Sequence, residues 1–331
     1  MSSTKNNGVD VGWMGAALAL AARGRARTAP NPSVGCVIVR DGIVVGRGWT
    51  QPGGRPHAEA MALAQAGKKS RGATAYVTLE PCAHVSPRGP ACADLLVAAG
   101  VARVVAAIGD PDPRTNGAGL ARLGAAGIET AVGVQAEEAR RAIAGFLMRQ
   151  AERRPLVTLK LATSLDGCIA RADGESRWIT GAAARAHAHL ERSRHETILV
   201  GRGTWDVDVP SLDVRLPGLE SRSPQRVVLT RTAIDGVTTI DSPGAIAALP
   251  GDHLLVEGGA GAASAFLRAD LVDRLLLYRA PILIGGGRPA LGDIGLEALG
   301  DAHGRWTMID SRALGSDRLE VYERRRCSPG S

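Results

Sequence analysis

Aromatic residues, cysteines and long apolar runs are all scarce in this chain of 331 residues. Aromatic side chains make up only 3% of the sequence, which leaves few platforms for stacking nucleic-acid bases. No apolar run reaches the roughly 20 residues needed to span a bilayer. The alanine-rich run at 15–22 stops at Arg23, and no leader with a small-residue cleavage site is recognisable. We therefore expect an amphipathic first helix and no membrane partner.

The few cysteines and the charge balance indicate a reducing compartment and anionic ligands. An odd number of scattered cysteines does not form the pattern of a disulfide framework, so we expect a cytoplasmic protein. The net charge of +7 favours phosphates and dinucleotides as partners. Because the arginines are spread along the chain, we do not expect nucleic acid to be bound. The five cysteines are Cys36, Cys82, Cys92, Cys168 and Cys327.

The length and the 45% hydrophobic content suggest two domains, each with its own core. Helical and strand patterns alternate in both halves, which predicts an α/β fold. A charged stretch ends at Pro155, and a new strand pattern follows, so we place the domains at 1–150 and 151–331. In the first half, the expected helices are 11–23, one starting near 56–57, 91–99 and 136–152. The expected strands there are 35–39, 43–46, 75–79 and 104–108.

The second half carries a similar alternation, with one long irregular segment. Residues 206–225 are rich in proline, serine and charge, and we interpret them as a loop over a site. The expected strands are 156–162, 197–200, 226–230, 253–256 and 272–281. The expected helices are 181–193 and 261–269.

One nitrogen and two sulfur ligands in the first half fit a catalytic zinc site. His57 begins a predicted helix, Pro81-Cys82 follows a predicted strand at what we take to be a helix start, and Cys92 comes ten positions later. The order resembles the His-x-Glu and Pro-Cys-x-x-Cys pattern of zinc deaminases. Three protein ligands leave a fourth position for a water, whose pKa the zinc lowers towards neutrality.

Glu59 is the acid placed beside these ligands. A carboxylate there takes the proton of the water and delivers it to the leaving ammonia. Taken singly, a His-Ala-Glu triplet is common and a lone cysteine is usually a small buried residue. The other three cysteines are interpreted as structural or incidental. His84 is interpreted as a substrate-side residue or a partner of a ligand, since a fourth protein ligand would close the site.

Three segments of the first half carry a resemblance to a known family. They are Pro30-Asn31-Pro32-Ser33-Val34-Gly35-Cys36-Val37, His57-Ala58-Glu59 and Thr78-Leu79-Glu80-Pro81-Cys82-Ala83-His84. They resemble the deaminase domain of the bifunctional riboflavin-biosynthesis deaminase–reductases, whose fold is like that of cytidine deaminase, with a sheet between two helical layers. That family usually has eight residues between its two cysteines and ends the loop in Thr-Pro-Pro-Cys. This chain has nine, and reads Arg88-Gly89-Pro90-Ala91-Cys92.

The resemblance implies that Asn31 and Arg88 contact the ribose or phosphate of the substrate. Without it, Asn31 between two prolines is as well explained as a turn residue. The longer spacing between the cysteines disfavours the deaminases that act on nucleic acids or free nucleosides. It also leaves the shape of the substrate loop open.

Motifs of the second half resemble the reductase domain of the same family, whose fold is like dihydrofolate reductase. They are Leu159-Lys160-Leu161-Ala162-Thr163-Ser164-Leu165-Asp166-Gly167, Gly174-Glu175-Ser176-Arg177-Trp178-Ile179-Thr180, Ile198-Leu199-Val200-Gly201-Arg202-Gly203-Thr204 and Val256-Glu257-Gly258-Gly259-Ala260-Gly261. No Gly-x-Gly-x-x-Gly follows the first strand of a βαβ unit, so a Rossmann site is not expected. Glycine-rich turns that lead into helices nevertheless suit phosphate.

The resemblance covers nearly the whole chain in the same domain order and implies NADPH as hydride donor. The positions matching NADPH contacts are Ala162, Trp178, Thr204, Asp208, Gly259, Ala260, Gly261, Ala262, Ala263, Ser264 and Ala265. The positions matching contacts to a phosphorylated sugar substrate are Ser176, Arg192, Leu212, Arg215 and Glu257. From the residues alone, Arg192 would be a solvated helix residue and Trp178 a core residue. Arginine can bind a phosphate through two parallel hydrogen bonds.

Two departures from the family are relevant to the ligands of this half. Asp208-Val209-Pro210 stands where the family often has Asp-Asp-Pro, and Thr230-Arg231 where it often has an acidic residue or serine. We expect Arg231 to contact the 2′-phosphate of NADPH, because it complements that charge.

The expected activity is zinc-dependent deamination of 2,5-diamino-6-(5-phosphoribosylamino)pyrimidin-4(3H)-one, followed by NADPH-dependent reduction of the ribosyl group to ribityl. The reductase family is often dimeric, so a homodimer or higher homo-oligomer is expected. Three alternatives stay open: a related enzyme recruited to another pyrimidine or pteridine pathway, a nucleic-acid-editing deaminase, and a non-catalytic phosphate sensor. Low aromatic content and the cysteine spacing oppose the second, and the intact metal ligands oppose the third.

Overall fold

The structure is a computed structural model, and it describes residues 7–84 and 86–325. The chain divides into two compact units, residues 1–151 and 152–331. Both units mix helices with a sheet, as the α/β prediction expects. In the described part of the chain, no helix has the length and apolar character needed to cross a bilayer. Cys327 lies outside the described residues.

A five-stranded sheet forms the centre of the first unit. Its strands are β1 (Gly35–Arg40), β2 (Ile43–Trp49), β3 (Thr74–Val77), β4 (Arg103–Ala106) and β5 (Glu129–Val132). Its helices are α1 (Asn7–Ala21), α2 (Ala58–Ala66), α3 (Cys92–Ala99), α4 (Ala118–Ala125), α5 (Ala136–Ala142) and α6 (Ala144–Glu152). The strand order is β2-β1-β3-β4-β5, with β1 antiparallel to both neighbours and β3, β4 and β5 parallel.

Two glycines bring helices close to the two faces of this sheet. A Cβ at Gly35 would lie 1.9 Å from the Ala17 carbonyl oxygen of α1, and one at Gly48 would lie 2.2 Å from the Ala58 carbonyl oxygen of α2. Gly48 pairs with Cys36, the neighbour of Gly35, and neighbouring strand residues point to opposite faces. Therefore α1 and α2 cover opposite faces, which is the expected three-layer arrangement.

Most of the predicted elements of this unit are present. The hairpin turns at Asp41-Gly42, where both residues have positive φ (52° and 73°), as a two-residue hairpin turn requires. The helix predicted at 136–152 is wrong as one straight element, because Ile143 separates α5 from α6. Ile143 has φ −113°, yet its amide still donates to the Ala139 carbonyl, so the break is a kink. The sequence interpretation also missed α4 and β5.

An eight-stranded sheet forms the second unit. Its helices are α7 (Ala182–Arg192), α8 (Arg202–Asp208) and α9 (Ala260–Arg268). The strands are β6 (Leu156–Thr163), β7 (Cys168–Ala170), β8 (Thr197–Gly201), β9 (Gln225–Leu229), β10 (Thr238–Ile240), β11 (His253–Val256), β12 (Arg274–Arg279), β13 (Arg288–Pro289), β14 (Trp306–Leu314) and β15 (Asp317–Arg324). The order is β10-β9-β8-β11-β6-β12-β15-β14, and β7 and β13 form a separate pair.

In the sheet order, the six neighbouring strands β10-β9-β8-β11-β6-β12 run parallel. The hairpin of β15 and β14 adds antiparallel pairs beside β12. The parallel strands place their carboxyl ends at one edge, where ligands of open α/β sheets bind. The segment 206–225 begins with the last turn of α8 and is otherwise mostly irregular, close to the expected loop. Sequence patterns missed α8 and the β14–β15 hairpin, in which polar and charged residues obscure the alternation.

Candidate active sites

His57, Cys82 and Cys92 come together in the first unit. Their ligand atoms all lie within 4.8 Å of one another. His57 Nδ1 is 3.3 Å from Cys92 Sγ and 3.7 Å from Cys82 Sγ. A tetrahedral zinc with ordinary bond lengths separates such nitrogen and sulfur ligands by about 3.6 Å. The donor set and its spacing therefore fit zinc with one coordination position left for a substrate or water.

Two helices and one loop position these ligands. His57 is the N-cap of α2, and Cys92 is the first residue of α3. The prediction that Cys82 begins a helix is wrong: residues 81–84 and 86–91 are not helical. Pro87, Gly89 and Pro90 disfavour a helix there, so the helix starts only after the loop has returned to the metal group.

The first two amides of α3 nevertheless hold Cys82. Cys92 N–H donates to Cys82 Sγ at 3.3 Å, and Ala93 N–H donates to the Cys82 carbonyl oxygen at 3.2 Å. Free amides at a helix start favour a thiolate. A hydrogen bond from Cys92, with help from His57, lowers the pKa of Cys82 to about 4. The pKa of Cys92 is raised, because its thiol donates a hydrogen bond to Cys82 and because it is buried.

Glu59 lies in the first turn of α2, two residues after His57, and its side chain is buried. Burial raises the pKa of Glu59, and the electrostatic interaction with His57 only partly opposes this rise. A raised carboxyl pKa suits a group that accepts a proton and then returns it at neutral pH. The two remaining described cysteines, Cys36 and Cys168, are buried and lie outside the metal group.

Asn31 lies against the metal ligand His57. Its amide nitrogen is 2.9 Å from His57 Nε2 and donates to the Gly54 carbonyl oxygen at 3.1 Å. This contact places the Asn31 amide against the edge of the imidazole that faces away from the two sulfurs. His84 Nδ1 is 3.4 Å from Thr115 Oγ1, and Arg88 donates to the Gly53 carbonyl oxygen at 2.6 Å. Asn31 thus contacts a metal ligand, whereas His84 and Arg88 lie between the two cysteines in the sequence. The substrate contacts of these residues stay predictions.

Glu80 is a residue of this site that sequence reasoning missed. Its buried carboxylate accepts hydrogen bonds from four backbone amides, those of Asp110, Gly117, Gly119 and Leu120. The last two are the second and third residues of α4, so Glu80 caps that helix from another part of the chain.

A close backbone approach completes this contact. A Cβ at Gly119 would lie 2.0 Å from the Pro81 carbonyl oxygen, so only glycine allows α4 to pack there. Glu80 and Gly119 together attach the segment 109–120 to the residue beside Cys82. The Leu79-Glu80-Pro81-Cys82 motif was the only signal for Glu80, since its partners are backbone groups.

In the second unit, Arg192 and Glu257 form a bidentate ion pair across 65 residues of sequence. Arg192 Nε and Nη2 donate to Glu257 Oε1 and Oε2 at 2.8 and 2.9 Å. Lys160 Nζ lies 4.0 Å from Glu257 Oε2. Burial by itself would raise the pKa of Glu257, but the hydrogen bonds from Arg192 and the Lys160 charge outweigh burial and lower it. Lys160 belongs to the motif at 159–167, but the sequence did not predict it as a site residue.

The segment after α8 is held against α7. Arg192 Nη1 donates to the Asp213 carbonyl oxygen at 3.0 Å, and the Arg215 amide donates to His189 Nδ1 at 3.2 Å. Leu212 is buried with φ +54°, a left-handed conformation unfavourable for leucine. Strained residues of this kind cluster at functional sites. Among the predicted substrate residues, Arg192, Leu212, Arg215 and Glu257 therefore belong to one connected group, while Ser176 lies in a separate loop.

The predicted NADPH contacts gather mainly where β8 and β11 end. The Gly259 amide, at the N-cap of α9, donates to Thr204 Oγ1 of α8 at 3.1 Å. Gly261 is exposed in the first turn of α9. Ala262, Ala263 and Ser264 are buried, and Ser264 Oγ donates to the Ala260 carbonyl oxygen and accepts from Gly292 N–H. Their side chains serve packing, so the first turn of α9 offers mainly backbone amides to a phosphate.

The other positions predicted for NADPH are spread around this edge. Ala162 is half-buried near the end of β6, and Arg231 is exposed two residues beyond β9. Asp208 ends α8 and accepts from Arg177 at 3.4 Å. Trp178 is 65% exposed, with the Arg185 guanidinium 4.7 Å from its ring centre, so the expectation from the residues alone of a core tryptophan is wrong. An exposed indole offers a face to a ligand.

Comparison with known proteins identifies both units. Residues 9–108 match the cytidine and deoxycytidylate deaminase zinc-binding region, and residues 155–319 match the RibD C-terminal domain. The riboflavin biosynthesis protein RibD of Escherichia coli is 41% identical to this chain, covering 88% of this chain and 93% of its own length. The chain belongs to the RibD family.

Further RibD relatives match more than nine tenths of the chain. RibD of Mycobacterium tuberculosis is 39% identical, covering 92% of this chain and 95% of its own length. A crystal structure of the Thermotoga maritima diaminohydroxyphosphoribosylaminopyrimidine deaminase/5-amino-6-(5-phosphoribosylamino)uracil reductase superposes with a TM-score of 0.88 at 31% identity, covering 96% of this chain and 99% of its own. Acinetobacter baumannii RibD gives a TM-score of 0.85 at 36% identity, covering 96% of this chain and 99% of its own.

The family assignment confirms the predicted fold class and enzyme type. This RibD-family protein is a bifunctional enzyme of riboflavin biosynthesis, with a zinc-dependent deaminase domain followed by an NADPH-dependent reductase domain. The resemblance stated from sequence motifs is likewise confirmed.

Proposed function

We propose that the first domain removes the 2-amino group of 2,5-diamino-6-(5-phosphoribosylamino)pyrimidin-4(3H)-one. The second domain then reduces the ribosyl group of 5-amino-6-(5-phosphoribosylamino)uracil to ribityl with NADPH. The observation that carries this proposal is the presence of both sites in one chain: the His57, Cys82 and Cys92 group in the first domain and the Arg192–Glu257 group in the second. The name of the Thermotoga maritima relative supports this pair of substrates.

In the deaminase domain, His57, Cys82 and Cys92 hold the zinc, which when bound supplies a polarised water as nucleophile. The Glu59 carboxylate takes the proton of the attacking water and delivers it to the leaving amine nitrogen. Asn31 lies against the outer edge of the His57 ring, where it can contact the ribose. Glu80 keeps the segment 109–120 beside the Cys82 loop.

In the reductase domain, NADPH supplies the hydride, and the chain positions both reactants. Thr204 fixes the start of α9 by accepting from the Gly259 amide, and the next amides, those of Ala260 and Gly261, bind a cofactor phosphate. Arg231 binds the 2′-phosphate. The remaining predicted cofactor contacts are Ala162, Trp178, Asp208 and the stretch 262–265. The predicted substrate contacts are Ser176, Arg192, Leu212, Arg215 and Glu257, with Lys160 supporting Glu257.

We further propose that the enzyme acts in the cytoplasm as a homodimer or higher homo-oligomer. Support for the compartment is the scattered cysteine pattern, and support for assembly is the tendency of related reductase domains to dimerise. Light scattering of the purified protein at several concentrations tests the assembly, and a mass equal to one chain throughout would contradict it.

The central test follows the two reactions separately in one protein sample. The diaminopyrimidine phosphate is incubated with the zinc-loaded enzyme, with and without NADPH, while ammonia and NADPH are measured. We expect ammonia release in both incubations and NADPH oxidation only after the deaminated product has formed. No ammonia release from this compound would contradict the proposed substrate. A related pathway would instead be indicated by turnover of a different pyrimidine or pteridine.

A further inference from the structure

Arg55 lies beside the deaminase metal group, yet no motif of the sequence marked it. Its side chain is half-buried, and Nη1 lies 3.0 Å from where a Cβ would stand on Gly89. Within residues 7–84 and 86–325, its guanidinium makes no hydrogen bond and no ion pair. A half-buried arginine without a partner loses solvation unless an anion binds it.

Arg55 of segment 52–55 extends towards Gly89 of segment 86–90, and Arg88 of segment 86–90 extends back towards segment 52–55. Arg88 belongs to the loop between Cys82 and Cys92, and its Nη2 donates to the Gly53 carbonyl oxygen at 2.6 Å. Arg55 comes from the segment 52–55 and contacts Gly89, the neighbour of Arg88. Two guanidinium groups are therefore brought to one seam between segments 52–55 and 86–90. Among the described residues, neither arginine is ion-paired with a carboxylate.

Three glycines shape the backbone of this seam. Gly53, Gly54 and Gly89 have φ values of 76°, 85° and 142°, all in regions that favour glycine. A side chain at Gly89 would meet the Arg55 guanidinium, and one at Gly54 would meet Asn31. The glycines thus keep the backbone free of side chains where the two arginines lie.

The seam adjoins the metal group at both of its ends. Arg55 precedes the metal ligand His57 by two residues, and the Gly54 carbonyl accepts from Asn31, which contacts His57 Nε2. Arg88 precedes Cys92 by four residues in the loop between the two sulfur ligands. A substrate with its ring at the metal can therefore extend its far end towards this seam.

We propose that Arg55 and Arg88 together form an anion subsite for the 5-phosphate of the deaminase substrate. Two neighbouring cations repel each other until an anion lies between them, and a guanidinium matches a phosphate with two parallel hydrogen bonds. Arg88 was already expected to contact the substrate, whereas Arg55 is a specificity residue of this chain's own segment 52–55. This proposal rests on the proposed function, because the phosphate belongs to that substrate.

Deamination kinetics with two substrates test the subsite. Arg55→Met and Arg88→Met are compared with wild type on the phosphorylated diaminopyrimidine and on its dephosphorylated form, both with zinc-loaded enzyme. Loss of one charge-assisted contact corresponds to roughly a 10- to 100-fold rise in KM. We expect that rise for the phosphorylated compound with a small change in kcat, and at least tenfold less change for the dephosphorylated one. Arg40→Met, at the exposed hairpin turn, provides the matched control.

The outcomes separate the two proposals. If wild type releases no ammonia from the phosphorylated compound, the proposed function fails. If wild type is active and Arg55→Met keeps the wild-type KM for it, or raises KM equally for both compounds, the subsite is refuted. NADPH-dependent reduction by the same samples verifies that the variants are folded.

Discussion

Arg192 and Glu257 form a bidentate ion pair that is largely buried, with side-chain exposures of 14% and 7%. Both residues were expected from the family resemblance to contact the substrate, and the structure joins them to each other. A carboxylate that holds an arginine in one orientation presents its remaining guanidinium edge to a ligand. The pair therefore stabilises the reductase domain and also holds the Arg192 guanidinium in an orientation that can bind a phosphorylated sugar.

Breaking this pair should destabilise the reductase domain. Arg192→Met leaves the Glu257 carboxylate buried with only Lys160 nearby, which costs about 3–5 kcal/mol for such pairs. We expect a lower Tm and loss of NADPH-dependent reduction, while ammonia release by the other domain persists. Arg268→Met, which removes an exposed ion pair with Asp293, should cost less than about 1 kcal/mol. Equal Tm changes for the two variants would contradict a special role of the Arg192–Glu257 pair.

The same pair predicts a pH dependence. Folding lowers the pKa of Glu257 below its ordinary value of 4.5, so the folded state gains stability from its ionised form. That gain is complete above 4.5 and is lost as the pH falls through the lower pKa of the folded state. Thermal unfolding of wild type and Arg192→Met should differ most near neutrality and converge in acid. A difference that is constant with pH would show that the carboxylate charge is not involved.

Glu59 should be needed for deamination and not for metal binding. Its carboxylate lies beside the ligand group without belonging to it. Glu59→Gln should therefore retain zinc while ammonia release falls by about 10²–10⁴-fold, the usual contribution of proton transfer. Reduction of supplied 5-amino-6-(5-phosphoribosylamino)uracil should persist. Metal analysis, ammonia assay and NADPH oxidation measure the three properties, and exposed Glu138→Gln is the control. Loss of both activities together would argue against separate sites.

Glu80 should stabilise the segment that carries α4 beside the metal group. Glu80→Gln replaces one carboxylate oxygen with an amide, which cannot accept from two of the four backbone donors. Unsatisfied buried donors cost about 1–3 kcal/mol, so we expect a lower Tm and weaker deamination with zinc retained. Glu129→Gln, which changes an exposed carboxylate in the same domain, should have little effect. If Glu80→Gln has the wild-type Tm and the wild-type rate of deamination, Glu80 does not stabilise the segment in this way.

Arg231 should set the choice between NADPH and NADH. It is exposed just beyond β9, at the sheet edge shared with the start of α9. Arg231→Glu places a negative charge where we expect the 2′-phosphate, and should reduce the preference for NADPH by roughly 10- to 100-fold. The ratio of kcat/KM for the two cofactors measures this, with Arg226→Glu, on β9 itself, as the control. An unchanged ratio means that another residue recognises the phosphate.

Local patterns predicted most regular elements that have strong periodicity or clear turn residues. The hairpin at Asp41-Gly42 and the end of α3 at Gly100, with φ 68°, are examples. The loop after Cys82 was misjudged because a strand followed by Pro-Cys also precedes a helix in the shorter pattern. The β14–β15 hairpin escaped because polar and charged residues obscure the alternation along its strands.

The sequence by itself determined the chemistry of the deaminase site. One imidazole, two thiols and one neighbouring carboxylate, in this order, specify a zinc deaminase whatever the detailed packing. The tertiary structure alone decided which groups support that chemistry. Glu80 is bound by amides 30 to 40 residues away, Arg192 meets Glu257 across 65 residues, and Arg55 meets Gly89 across a seam of two loops. Such partners are backbone groups or distant charges, which leave no local pattern because the folding of the sheet brings them together.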